Sequence, residues 1–381
     1  MASQHTIGQI QMVDLKNQYL KNKSAVDQAI QVCLDETSFI KGPQVALFER
    51  QLATYLNVPH VISCANGTDA LQLAMMALDL KPNDEVIVPA FTYVATAEVI
   101  ALLGLKPIII DVDPKTFTIN KELVAEAITP QTRLVVPVHL FGQCADMGGI
   151  LDLCQANEIA IVEDAAQAIG ASYTFPNGYV LAAGCLGDLG TTSFFPSKNL
   201  GCFGDGGAVF TRTEELACKV RMIANHGQAR KYEHEVVGIN SRLDSLQAAI
   251  LLIKLKSLAT YTANRQRAAA WYDNLLNGIS EVEIPYRAPN STHVFHQYTI
   301  KVPAKKRDGL IEFLKQNGIP SMVYYPKSLT RQKAYQDVGR VVGDLSVTHE
   351  LCQRVLSLPM HTELTEPQIA YIAETITTYF A

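Results

Sequence analysis

Short apolar segments alternate with longer amphipathic ones through the first 210 residues of the chain. The apolar segments have the length of strands, and apolar residues recur at helical spacing between them. Because these segments are apolar throughout, they predict an α/β domain with a mostly parallel sheet that is covered by helices on both faces. The predicted strands are residues 61–64, 85–89, 107–112, 134–138, 159–162 and 208–210.

The segments between these strands predict helices, and Gly42-Pro43 separates the first two. A polar segment at residues 228–238 predicts a loop, a long helix is predicted for residues 245–261, and Trp271 lies in another helix. The other predicted helices are residues 14–39, 45–55, 71–78, 95–103, 123–128, 150–155 and 216–224.

The order of elements changes after Gly278. Prolines interrupt predicted strands such as residues 296–302, and a helix is predicted for residues 310–316. We therefore expect two domains. Residues 1–250 form a large α/β domain, and residues 251–381 form a smaller α+β domain.

Composition and charge exclude several classes of protein. The formal net charge is −5 and no block of lysine or arginine occurs, which argues against nucleic acid as a partner. No apolar run is long enough for a membrane span, and residues 1–14 lack the apolar region of a secretory signal, so we expect a cytoplasmic protein. The 8 cysteines are scattered without metal-binding spacing, so we expect reduced thiols and no metal site.

A lysine lies in an unusual segment at residues 191–207. Lys198 follows Ser193-Phe194-Phe195-Pro196-Ser197 and has no charged neighbour within those five positions. Burial in such surroundings would lower the pKa of the ammonium group, and a neutral amine can form a Schiff base with a carbonyl compound. The alternative is a lysine that reaches from a loop to solvent. This segment alone leaves both interpretations open.

A strand, a glycine and a helix meet at Ala65-Asn66-Gly67-Thr68-Asp69. The free N–H groups at a helix N-terminus bind phosphate, and the Thr68 hydroxyl adds a donor. Alternatively, Thr68 or Asp69 only caps the helix. The segment matches neither a nucleotide P-loop nor a dinucleotide fingerprint.

Polar and aromatic residues follow the ends of the predicted strands, where open α/β sheets bind their ligands. Tyr93, His139, Asp164 and Gln167 are such residues. Asp164 is either a helix N-cap or a carboxylate that keeps a pyridine nitrogen protonated. Tyr93 or Phe91 could stack on that ring, although each could equally be a core residue.

Taken together, these segments resemble the DegT/StrS family of pyridoxal-phosphate-dependent nucleotide-sugar aminotransferases, which have the aspartate-aminotransferase fold type I. The resemblance extends from Asp14 to His361. The motifs that carry it are Asn-Gly-Thr-Asp-Ala at 66–70, Pro-Ala-Phe-Thr-Tyr-Val-Ala-Thr at 89–96, Pro-Val-His-Leu-Phe-Gly-Gln at 137–143, Glu-Asp-Ala-Ala-Gln at 163–167, Ser-Phe-Phe-Pro-Ser-Lys-Asn-Leu-Gly at 193–201 and Asn-Ser-Arg-Leu-Asp-Ser-Leu-Gln-Ala-Ala at 240–249.

The resemblance implies a role for each site residue. Lys198 forms the Schiff base with pyridoxal phosphate and then transfers the proton, and Asp164 pairs with the ring nitrogen. Gln167 approaches the ring hydroxyl, and Tyr93 stacks on the ring. Family dehydratases have histidine in place of the lysine, so Lys198 favours transamination. The residues that would hold the phosphate are Gly67, Thr68, Asp69 and Ser193.

The resemblance also implies a homodimer with shared active sites, because Asn240 would contact the phosphate bound by the neighbouring subunit. Arg230, which follows His-Gly-Gln, would contact the sugar. Tyr324 and Tyr325 lie in a segment that borders the sugar in relatives. Tyr324 stands where relatives usually have histidine, which leaves the identity of the sugar open.

Residues 204–207 and 240–244 resemble those of members that aminate C3 of a 3-keto sugar nucleotide. Within the family, the chain resembles enzymes that act on UDP-2-acetamido-2-deoxy-3-oxo-glucuronate with L-glutamate as donor, for surface polysaccharide (O-antigen) biosynthesis. The alternatives are a C4 aminotransferase for a UDP-4-keto-6-deoxy sugar and a non-catalytic regulator that binds pyridoxal phosphate.

Overall fold

The computed structural model describes residues 8–381. Helices and strands alternate through the first part of the chain. The elements are α1 (Leu15–Asp35), α2 (Pro43–Leu56), β1 (His60–Cys64), α3 (Gly67–Ala77), β2 (Glu85–Pro89), α4 (Ala95–Leu102), β3 (Lys106–Ile110), α5 (Lys121–Ala127), β4 (Thr132–Val135), α6 (Met147–Ala156), β5 (Ala160–Asp164), β6 (Ser172–Thr174), β7 (Val180–Ala182), β8 (Leu189–Ser193), β9 (Gly207–Thr211) and α7 (Glu214–Ile223).

The remaining elements are shorter strands between longer helices. They are β10 (Gln228–Arg230), β11 (Glu233–His234), α8 (Ser245–Leu255), α9 (Leu258–Leu276), β12 (Tyr298–Lys301), α10 (Ala304–Gln316), β13 (Arg340–Val341), α11 (Ser346–Arg354), β14 (Val355–Leu358) and α12 (Glu366–Phe380).

The central sheet has eight strands in the order β1-β9-β8-β5-β4-β2-β3-β13. The pairs from β8 to β13 are parallel, whereas β9 runs antiparallel to both of its neighbours. This confirms the mostly parallel sheet that the apolar segments predict. Because parallel strands end at the same edge, the residues after β2, β4, β5 and β8 lie near one another.

Both faces of the sheet are buried, as the apolar strands predict. In β2, Val86 and Val88 belong to one core cluster and Ile87 belongs to the cluster on the opposite face. Successive side chains of a strand point to opposite faces, so a strand that lies between two layers of helices needs apolar residues at every position.

The ends of several helices differ from the prediction. The helix predicted for residues 14–39 is α1, which begins after its N-cap Asp14 and ends at Asp35. Gly42-Pro43 does separate α1 from α2, and Pro43 is itself the first residue of α2. Proline suits that position because its missing N–H would have no acceptor within the helix.

Two predictions for the middle of the chain are wrong. Residues 228–238 contain the two-stranded hairpin β10–β11 and are not simply a loop. The single helix predicted for residues 245–261 is two helices, because α8 ends at Leu255 and α9 begins at Leu258, and Trp271 belongs to this same α9. Residues 245–261 keep an apolar pattern across the break between the two helices, so periodicity alone does not reveal it.

A second core lies among α9, α10, α12, β12 and β14, where Tyr272, Tyr298 and Leu356 are buried. Helix α8 instead packs on α1 and α2, with Leu251 and Leu255 in a cluster that also contains Phe48. Strand β13, although late in the sequence, pairs with β3 of the large sheet. The division at residue 250 stays a prediction.

Within residues 8–381, no helix combines the length and apolar character that a membrane crossing requires.

Candidate active site

Asp164 lies at the carboxyl end of β5 and is buried. The Thr96 hydroxyl donates to Asp164 Oδ2 over 3.0 Å, and the Ala166 N–H donates to Oδ1 over 3.1 Å. The segment after Asp164 is a series of turns and not a helix, so the N-cap interpretation is wrong. The Asp164 carboxylate is therefore held in one orientation by two donors, one to each oxygen.

Lys198 lies in the turn that follows β8, and its N–H donates to the carbonyl of Phe195 over 2.9 Å. Burial lowers the pKa of Lys198 to about 8, although the nearby Asp164 carboxylate opposes this shift. The turn is tight, because a Cβ on Gly201 would lie 2.4 Å from the Pro196 carbonyl oxygen. The lowered pKa favours the Schiff-base interpretation over that of a lysine reaching into solvent.

The N-terminus of α3 lies against the ends of β8 and β9. Asn66 is the N-cap, because its Oδ1 accepts the Asp69 N–H over 2.8 Å, so the interpretation that Thr68 or Asp69 caps the helix is wrong. A Cβ on Gly67 would lie 2.7 Å from Ser193 Cβ. Gly67, Thr68 and Ser193 are therefore neighbours, and the first N–H groups of α3 have no acceptor within the helix.

Gln167 joins three distant parts of the chain. Its Oε1 accepts the Phe141 N–H over 2.8 Å, and its Nε2 donates to the Tyr325 hydroxyl oxygen over 3.1 Å. Burial raises the pKa of the Tyr325 phenol above its ordinary value, so this residue is neutral at physiological pH. Both hydrogen bonds fix the orientation of the Gln167 amide.

Two aromatic residues were candidates for ring stacking, and they have different surroundings. Phe91 is buried and packs against Phe117, Phe141 and Tyr325. Tyr93 is 59% exposed, and its ring centroid lies 6.4 Å from that of Tyr325. Phe91 is therefore a core residue, and Tyr93 is the candidate that keeps a free ring face.

The remaining predicted residues are Tyr324, Arg230 and Asn240, and of these Tyr324 contacts the cluster. Tyr324 is half-buried and its ring packs edge-on against Tyr325, with centroids 6.1 Å apart. Arg230 on β10 and Asn240 are both exposed on the surface of the single chain. The residue after Asn240 is Ser241, whose Oγ accepts the Ala65 N–H over 3.1 Å, so this segment lies beside the start of α3.

The sequence did not predict the contact of Thr96 with Asp164 or the buried hydrogen bond between His139 and Glu163. His139 Nε2 lies 2.7 Å from Glu163 Oε2, and both side chains are fully buried. Glu163 directly follows the apolar run Ile159-Ala160-Ile161-Val162, and a charged residue inside a buried strand was the available signal. Thr96 gave no such signal, because a threonine in the first turn of a helix is common.

Comparisons with known proteins agree with this geometry. The profile of the DegT/DnrJ/EryC1/StrS aminotransferase family matches residues 21–377. The UDP-2-acetamido-2-deoxy-3-oxo-D-glucuronate aminotransferase of Pseudomonas aeruginosa is 45% identical over 97% of this chain and 99% of its own length. The UDP-N-acetyl-3-dehydro-alpha-D-glucosamine 3-aminotransferase of Acidithiobacillus ferrooxidans is 44% identical over 96% of this chain and 97% of its own.

The same similarity appears in three dimensions. The crystal structure of ntda from Bacillus subtilis with bound cofactor PMP has a TM-score of 0.85 and 32% identity, and the match covers 94% of this chain and 82% of that one. Matches of this extent confirm the expected fold, a large mostly parallel sheet of the aspartate-aminotransferase type. This chain belongs to the DegT/DnrJ/EryC1/StrS aminotransferase family.

Proposed function

We propose that this aminotransferase carries pyridoxal phosphate and transfers an amino group from L-glutamate to C3 of UDP-2-acetamido-2-deoxy-3-oxo-glucuronate. The observation that carries the chemistry is the desolvated Lys198 amine, at a pKa of about 8, beside the buried Asp164 carboxylate. The choice of C3 is supported by the relatives in Pseudomonas and Acidithiobacillus, whose names specify 3-oxo and 3-dehydro sugars.

The structure has the groups that pyridoxal phosphate requires. The N-terminus of α3 offers N–H donors for the phosphate, and Gly67 keeps this end close to Ser193, because a side chain there would collide with it. The Asn66 side chain already takes the Asp69 N–H, which leaves the N–H groups of Gly67 and Thr68 for a ligand. We assign the phosphate to Gly67, Thr68 and Ser193, with Asp69 beside them, since its N–H is already bonded to Asn66.

Each remaining residue has a defined task at the ring. When bound, pyridoxal phosphate supplies a ring that withdraws electrons and stabilises negative charge on the reacting carbon. Asp164 would accept a hydrogen bond from the ring N–H and so keep the ring nitrogen protonated. Gln167 has one N–H left for the ring hydroxyl, because its other contacts are made by Phe141 and Tyr325. Tyr93 covers the ring, and Lys198 holds the cofactor and then moves the proton.

We assign the sugar nucleotide to Arg230, Tyr324 and Tyr325, and the second subunit to Asn240. Arg230 and Asn240 are exposed in the single chain, which suits residues that complete a site across a homodimer. Placement in lipopolysaccharide (O-antigen) biosynthesis, and in the cytoplasm, follows from the same substrate assignment.

The decisive experiment uses the protein loaded with pyridoxal phosphate, L-glutamate and the UDP-3-oxo sugar, with the position of the new amine read by NMR. We expect the amine at C3 and one 2-oxoglutarate for each turnover. The Lys198→Ala variant is the control and should form no product. An amine at C4 of a UDP-4-keto-6-deoxy sugar, in preference to C3, would contradict the substrate assignment. Binding without turnover on either sugar would indicate a regulator.

The shared active site is tested separately by mixing two inactive variants. Lys198→Ala and Asn240→Ala should each lose activity. If the two residues serve one site from different subunits, mixed dimers contain one intact site, and the mixture should recover about one quarter of the wild-type activity. No recovery, under conditions in which subunits are shown to exchange, would place both residues in the same subunit's site.

A further inference from the structure

The buried residues His139 and Glu163 adjoin the candidate site, because Glu163 directly precedes Asp164 in β5. The Ala145 N–H donates to His139 Nδ1 over 3.2 Å, so Nδ1 carries no proton. The ring proton is therefore on Nε2, which donates to Glu163 Oε2 over 2.7 Å. Both nitrogens of this imidazole are engaged, one with the loop that follows it and one with the neighbouring strand.

Glu163 is an immobile acceptor. Its Oε2 accepts the Gly184 N–H over 3.0 Å, and its Oε1 accepts the N–H groups of Leu186 and Gly187 over 2.6 and 2.7 Å. With the His139 bond, a fully buried carboxylate receives four donors. Four donors hold this carboxylate in one position, and the carboxylate in turn fixes the position of its partners.

The loop that His139 spans, residues 139–145, contacts the cofactor-binding residues. Phe141 in this loop has φ 58°, a left-handed conformation that is unfavourable for a residue with a side chain. The Phe141 N–H nevertheless holds Gln167 Oε1 over 2.8 Å. The backbone N–H of His139 also donates to the carbonyl of Asp164 over 3.0 Å.

We propose that His139 and Glu163 are positioning residues for the cofactor ring. The imidazole ties both ends of the 139–145 loop to β5, keeps Phe141 in its left-handed conformation and so fixes the Gln167 amide. The same pair holds the end of β5 at Asp164. This inference rests on the proposed function for its consequence in catalysis, whereas the bracing of the loop is a property of the chain without cofactor.

The first test is hydrogen exchange in the cofactor-free protein. His139→Asn keeps an acceptor near Nδ1 and removes the donor to Glu163, and we expect amide exchange in residues 139–145 to accelerate at least tenfold. Asp188→Ala is the matched control, because Asp188 Oδ2 accepts the Ile161 N–H at the other end of β5. This control should leave exchange in the loop unchanged. Unchanged exchange in His139→Asn would overturn the proposal, whatever the protein's activity.

The second test uses the protein with pyridoxal phosphate. Because a misplacement of about 1 Å can cost a factor of about 10² in rate, we expect kcat of His139→Asn to fall by about 10²-fold while KM for L-glutamate changes little. The pH midpoint of the visible absorption of the bound cofactor should also shift, since Gln167 and Asp164 surround its ring. His139→Gln keeps a donor near Nε2. Its kcat and its absorption midpoint should therefore lie closer to the wild-type values than those of His139→Asn.

The outcomes separate the two proposals. A lower melting temperature with an unchanged absorption midpoint and unchanged kcat would show a purely structural role and overturn the positioning role. If the wild-type protein fails to bind pyridoxal phosphate, the proposed function fails, and the exchange experiment still decides whether His139 braces the loop.

Discussion

The pH at which Lys198 becomes a nucleophile follows from its surroundings. Burial lowers the pKa of Lys198 from 10.5 to about 8. Each pKa unit corresponds to about 1.4 kcal/mol, so the charged form is disfavoured by on the order of 3 kcal/mol relative to a lysine in water. Only the neutral amine attacks a carbonyl carbon, and its fraction rises tenfold per pH unit below the pKa.

The assay mixes cofactor-free protein with pyridoxal phosphate between pH 6.5 and 10 and follows the visible absorbance of the lysine-bound cofactor. We expect the initial rate to rise to a plateau above pH 8 and to reach on the order of a tenth of that plateau at pH 7. The reaction of N-α-acetyl-lysine over the same range corrects for ionisation of the cofactor itself. Lys198→Ala should give no such band.

The Asp164 carboxylate raises the pKa of Lys198 against the effect of burial. Removing this charge in Asp164→Asn should therefore move the midpoint of the rate to a lower pH. Asp337→Asn, at an exposed carboxylate, is the control and should leave the midpoint unchanged. A wild-type midpoint near 10.5, or an upward movement in Asp164→Asn, would refute the reasoning.

Three further predictions concern single contacts. Gly67→Ala places a Cβ 2.7 Å from Ser193 Cβ, so we expect a loss of about 1–3 kcal/mol in urea unfolding and weaker binding of pyridoxal phosphate, whereas Gly278→Ala, with nothing within 4 Å, should change neither. Thr96→Val removes the hydroxyl that donates to Asp164 Oδ2. Loss of this hydrogen bond should lower the free energy of unfolding by about 1–3 kcal/mol and reduce kcat. An unchanged kcat would exclude a role for this bond in catalysis. Arg265→Met leaves the buried carbonyls of Phe295, His296 and Met360 without their common donor. We therefore expect the free energy of unfolding in urea to fall by more than about 2 kcal/mol. Arg267→Met, at an exposed arginine, is the control and should lower it by less than about 1 kcal/mol.

Local patterns in the sequence predict much of the large domain. Strands such as β2 and β5 are recognisable because most positions of a strand buried on both faces are apolar. The helices between them follow from their periodicity, within a few residues at each end. The fold type and the roles of the site residues came from the resemblance of whole motifs to a family.

The two wrong element predictions have a common cause. The break between α8 and α9 occurs at Lys256–Ser257, where neither glycine nor proline marks it. The hairpin β10–β11 pairs Gln228 with His234 through backbone hydrogen bonds within a polar segment. In both places the backbone conformation depends on packing and pairing with other parts of the chain, and side-chain polarity carries no record of it.

The sequence by itself determined which chemical groups this protein has, because the lone Lys198, the strand-terminal Asp164 and the glycine at the start of α3 are visible as residue types in short segments. Only the tertiary structure decided which of them meet. Gln167 contacts Tyr325, a residue 158 positions away, and His139, in the loop after β4, contacts Glu163 on the neighbouring strand β5. The strand order places β9 antiparallel between β1 and β8, and that order brings Ser193 against Gly67. The physical reason is that short-range patterns specify local conformation and burial, whereas the distance between two side chains also depends on how the strands are ordered and paired.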